Sequence, residues 1–200
     1  MGSRPAALAL AFTISPVTGW VLAGAHVFAA LYSLRIRPAH VRLRDIPGSK
    51  DLLIALAWAF VAVALPRLAE PGTGVAVAGL ALGAGGVFLL GFSAATSVAL
   101  GDVQSDRLIG RESVAVLLGR GRARLLAAAG AGVVAIGASA GAALGLLPPA
   151  AIGFAFAAAV ILVATLRRRR PGGELATELA VEGALFASGP VAFAATYLLG

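Results

Sequence analysis

Long apolar runs alternate with short basic segments along this chain. The first run, from about Pro5 to Leu34, is too long for one regular crossing of a bilayer. Pro16 removes a helical hydrogen bond within it. Two readings follow: one long kinked helix, or a stub over residues 6–14 that turns at Ser15-Pro16 into a full span over 17–34. Further apolar runs cover residues 51–66, 75–100, 125–146, 151–166 and 175–199. Counting the stub apart, the pattern predicts about six spans at roughly 20 apolar residues each. The fold class is all-α, a polytopic transmembrane helical bundle, with residues 1–200 as a single domain.

The segments between these runs orient the bundle. Residues 35–50, 102–124 and 167–173 carry five, five and four basic residues, fourteen of the chain's 16 Lys and Arg. Pairs of spans separate the three segments, so all three fall on one side. The excess of positive charge makes that side cytoplasmic, and the cytoplasmic membrane is the expected location. The turn at 67–74, with mixed charge, and the turn at Pro148-Pro149 fall opposite.

Composition agrees. Hydrophobic residues make up 60% of the chain and charged residues only 12%, against about a quarter charged in soluble domains. The net charge of +7 does not point to nucleic acid, because the basic residues sit at the ends of apolar runs. There is no cysteine, hence no disulfide framework and no thiolate site. Gly137, Gly141 and Gly145 recur every four residues and predict a small-residue packing stripe. The GAGG run at 83–86 lies inside an apolar span with no strand before it, which excludes a phosphate-loop role.

Chemistry concentrates at Gly101–Gly119, GDVQSDRLIGRESVAVLLG. Asp102 and Asp106, at i and i+4, share a helical face. Two carboxylates so placed suit a hard cation such as Mg²⁺, which often bridges carboxylates to substrate phosphates. Arg107 and Arg111 would then neutralise remaining phosphate charge. The alternative is a pair of solvated aspartates in a loop, paired with those arginines. Elsewhere, His26 reads as a histidine hydrogen-bonded to a neighbouring helix or, alternatively, as a functional intramembrane polar residue. Glu182 reads as facing either a cavity or the wetted interface.

The segment resembles the second aspartate motif of the UbiA-type intramembrane prenyltransferases. Asp102, Asp106-Arg107, Gly110, Arg111, Ser113 (where the family usually has Thr) and Leu118-Gly119 carry the match. LYSLRIR at 31–37 resembles a Tyr-Ser element followed by basic residues. Lys50 follows in the next basic segment, and Glu182-Gly183 resembles a frequent Asp-Gly. The resemblance implies Mg²⁺-dependent transfer of a prenyl group from a polyprenyl diphosphate to a small acceptor, either an aromatic ring such as a quinone or haem precursor, or a lipid. Asp102 and Asp106 would be the catalytic and metal-holding residues. Arg107, Arg111, Lys50, Arg35 and Tyr32 would bind substrate, with Tyr32 belonging equally well to an interfacial aromatic belt.

The family also has an earlier aspartate motif of the NDxxDxxxD kind. Before Asp102 this chain has only Asp45, Asp51 and Glu70 as acidic residues, at unsuitable spacing. Ala99 and Gly101 also stand where many relatives carry Asp and Arg. The resemblance therefore places the start of the chain within the family's third helix, making it an N-terminally short member. A second reading follows: a non-catalytic or split remnant acting as a membrane-embedded binding or partner subunit, with a second chain supplying the missing helices. An unrelated small transporter would need polar residues at mid-span, and the long runs are almost free of them.

Overall fold

A computed structural model describes residues 3–33, 46, 48–69, 77–108, 110, 113–167 and 173–199. The described residues form helices and the turns between them: α1 (Ser3–Ile14), α2 (Pro16–Ser33), α3 (Ser49–Ala59), α4 (Leu65–Ala69), α5 (Val77–Leu108), α6 (Val114–Ala143), α7 (Ala151–Leu166) and α8 (Glu174–Leu199). The all-α membrane-bundle expectation is borne out. Four helical stretches are long and apolar enough to cross a membrane: Ser49–Leu68, Gly79–Leu108, Val114–Ala143 and Glu174–Leu199. The expected count of about six is reached only by adding α2 and the shorter α7.

The first apolar run resolves into two helices. Ser15 separates them and its Oγ accepts the Val17 N–H at 3.2 Å, while Pro16 takes the first position of α2. A serine cap followed by proline is favourable there, because that proline's missing N–H would have no intrahelical partner anyway. Phe12 packs edge-on against Trp20, ring centroids 5.5 Å apart. His26 bonds its own helix: Nδ1 lies 2.8 Å from the Leu22 carbonyl. A carbonyl only accepts, so Nδ1 carries the proton. This replaces the expected bond to a neighbouring helix.

The run that begins at residue 49 does not end at Pro66, as the apolar pattern suggests. A π-helical segment, Phe60–Ala64, joins α3 to α4, and the Leu65 N–H reaches back to the Phe60 carbonyl. Proline cannot donate to the carbonyl four residues earlier and collides with it. The wider π turn just upstream gives room for Pro66, and the helix continues.

α5 is the central element, packed against α3, α6, α7 and α8. Its 32 residues make a rod of roughly 48 Å, well beyond a hydrocarbon core of about 30 Å. A rod of that length is longer than the layer is thick and either tilts or extends beyond it. Leu90 and Ala94 join Ala131, Val134, Ala157, Ala158, Ile161, Val181 and Ala184 in the main core. Thr165 Oγ1 donates to the Ile161 carbonyl at 2.6 Å, which uses its only proton. Ser97 Oγ and Thr165 Oγ1 lie 2.6 Å apart, a hydroxyl pair that ties α5 to the last turn of α7. Trp20, Leu82, Ile136, Phe186 and Phe193 are among many large apolar side chains left exposed, as a lipid-facing surface requires.

Glycine packing differs from the predicted stripe. A Cβ on Gly137 would meet nothing, one on Gly141 would meet Leu147 of its own turn, and Gly145 has φ +68 in the turn after α6. The close approaches between helices include instead Gly19 against Phe12, Gly91 on α3, Gly130 against Ser93, and Gly153 against α8.

Gly119 interrupts α6 with φ 78 and ψ 156, a region essentially reserved for glycine. Space around it is open, so only the backbone resists a side chain. Gly119→Ala is expected to destabilise the fold by about 1–3 kcal/mol. Gly121→Ala, equally uncrowded but helical, should be neutral or gain up to about 1 kcal/mol. Denaturant unfolding in detergent checks both.

Candidate functional site

The site forms where the start of α3, the end of α5 and the start of α6 meet. α5 stays helical through the aspartate segment to Leu108, so both aspartates belong to its last two turns and not to a loop. Asp102 is exposed. Asp106, one turn on, is 3% exposed and follows the buried Val103. Beneath it Ala99, Leu100 and Val103 pack against Val114, Ala115 and Ala123 of α6. The i, i+4 spacing thus gives two carboxylates of opposite environment.

After Leu108 the chain reverses. Gly110 has φ +67, and its N–H donates to the Arg107 carbonyl at 3.3 Å. Ser113 is extended and precedes α6, but its hydroxyl makes no cap bond. The cap comes from another helix: Asp51 Oδ2, in the first turn of α3, accepts the Val114 N–H at 2.8 Å. A carboxylate at a helix N-terminus takes an otherwise orphan donor and complements the helix dipole. Gly48 makes this junction close. It has φ +74, and a Cβ there would lie 3.2 Å from Val114 Cγ2.

Asp51 is fully buried and lies within electrostatic range of both Lys50 and Asp106. Sequence reasoning set it aside because its spacing to other acidic residues fits no motif. An acid in a first turn ordinarily reads as a partner for its own helix, and nothing local reveals that this one serves α6. Four buried oxygens around the junction have no hydrogen-bond partner: Asp51 Oδ1, Asp106 Oδ2, Ser49 Oγ and Ser113 Oγ. Buried polar atoms in native proteins are nearly always paired, so four orphan oxygens at one junction set it apart as the candidate site.

The remaining predicted residues are placed unevenly. Lys50 is half-buried beside Asp51, and Arg107 is exposed at the end of α5. Tyr32 lies in α2, its side chain outside the description. Arg35 and Arg111 lie outside the described residues. Glu182 is exposed on α8. Among the described residues, no three His, Asp or Glu side chains gather as a metal cage.

A bundle of apolar helices with a carboxylate-bearing junction at one end is a multi-pass membrane protein with a polar site at its edge. The model of the UbiA prenyltransferase family matches residues 3–189, and the chain belongs to that family. No curated protein and no solved structure gives a significant match.

Proposed function

We propose that this protein transfers a prenyl group from a polyprenyl diphosphate to an aromatic or lipid acceptor within the membrane, with Mg²⁺ as its cofactor. The observation that carries this reading is Asp106: a carboxylate 3% exposed, with a partnerless oxygen, in the family's aspartate segment at the end of α5. Asp106 would hold the cation, with Asp102 reaching it from the exposed side. Bound Mg²⁺ would supply positive charge against the diphosphate.

The bond between the prenyl C1 and the diphosphate oxygen breaks, the acceptor bonds to C1, and the acceptor gives up a proton. Negative charge grows on the departing diphosphate, and fixed positive groups aimed at it supply the largest expected catalytic contribution. Arg107, Arg111, Lys50 and Arg35 are the side chains assigned to that task. Tyr32 is assigned to substrate contact. The whole chain acts as one transmembrane domain, in the cytoplasmic membrane. The junction faces the cytoplasm, on the side of the basic segments.

The test is diphosphate release from an allylic diphosphate by the full chain in lipid vesicles, with a panel of aromatic and lipid acceptors. Release should require Mg²⁺ and stop on chelation. Absence of release with every acceptor, or release indifferent to chelation, overturns the reading.

A further inference from the structure

We infer that Asp51 and Asp106 together hold one divalent cation, so that the cation-binding junction joins α3 to α5 and does not rest on the two aspartates of α5 alone. This rests on the proposed Mg²⁺ role of Asp106 and adds a ligand that no motif spacing indicates. Both carboxylates are more than nine-tenths buried. Each keeps one oxygen without a partner, and both flank Val114: Asp51 accepts its N–H, and Val103, one turn before Asp106, packs in the same cluster as its side chain. Asp51 is also held in place, because its other oxygen is tied to the Val114 N–H.

A buried carboxylate oxygen needs a donor or a cation as its partner. Lys50 stands beside Asp51 but is half-buried, and no hydrogen bond from it satisfies Asp51 Oδ1. A hard cation accepts oxygen ligands from one or two carboxylates and fills its remaining positions with water or phosphate oxygens. Asp51 Oδ1 and Asp106 Oδ2 match that need. Asp102, exposed at the helix surface, meets it less well.

The distinction between cap and ligand can be measured. Asn at position 51 keeps an oxygen to accept the Val114 N–H but loses the charge. Mn²⁺ binding to the detergent-solubilised full chain, followed by electron paramagnetic resonance without any substrate, reads the site independently of turnover. Asp51→Asn and Asp106→Asn should each weaken Mn²⁺ binding at least about tenfold, the loss seen even for outer partners of metal ligands. Glu178→Gln, at an exposed carboxylate of α8 outside the junction, should leave Mn²⁺ binding unchanged.

A cation-induced infrared difference spectrum of the unmodified protein should show two carboxylate groups responding. This keeps the test valid even if the Asn variant does not fold. Unchanged Mn²⁺ affinity in a folded Asp51→Asn protein overturns the inference while leaving Asp106 as a ligand. So does a spectrum in which one carboxylate alone responds. Absence of saturable Mn²⁺ binding to the unmodified protein overturns both this inference and the metal role of Asp106, whereas the proposed transfer reaction is judged separately by diphosphate release.

Discussion

Asp106→Asn is expected to lower Mg²⁺-dependent diphosphate release by about 10²–10³-fold, the loss typical of removing one preorganised electrostatic group. Asn matches Asp in size, so the packing of Val103 and Val114 beneath it should survive. What changes is charge at a position from which water is nearly excluded. Asp102→Asn should cost about tenfold or less, because solvent at an exposed carboxylate screens its field. Steady-state release measured for both variants, with helicity confirmed by circular dichroism, separates the two positions. An Asp106→Asn protein as active as the unmodified one would show that the site is misassigned.

Gly153→Ala is expected to be the most damaging of the conservative packing changes, at about 3 kcal/mol, the upper part of the usual overpacking range. Its new methyl would run into the Ser188 carbonyl, with Ala192 Cβ at 2.7 Å and Ala192 N at 3.1 Å. Two of these atoms are backbone, which cannot rotate aside, so α7 and α8 would have to separate. Gly189→Ala on α8, where a Cβ meets nothing, gains the same helix propensity without the collision. The difference between the two variants in denaturant unfolding therefore isolates the helix contact. Equal stability of the two would mean that α7 and α8 do not approach this closely.

The helices themselves were legible because their cause is local. An uncharged apolar run must satisfy its backbone internally when lipid is the solvent, and it does so as a helix wherever it lies in the fold. Ser15-Pro16 marked a break for a similarly local reason. The spacing of Asp102 and Asp106 on one helical face followed from the residues alone. Pro66 misled, because the apolar pattern carries no sign of the π turn that accommodates it. The glycine stripe misled too. A period of four places small residues on one face but does not say whether another helix comes to that face.

The sequence by itself determined a polytopic helical membrane protein, its family, and the segment in which its chemistry is proposed to lie. Each of these depends on composition, on hydropathy or on residues close together in the chain. Only the tertiary structure decided that Asp106 is buried while Asp102 is exposed, since burial depends on which neighbour covers each turn of α5. Only the tertiary structure brought in Asp51. Its hydrogen-bond partner, Val114, lies 63 residues away, and no local pattern encodes that meeting. It exists because α3 and α6 pack close to the same end of one long helix.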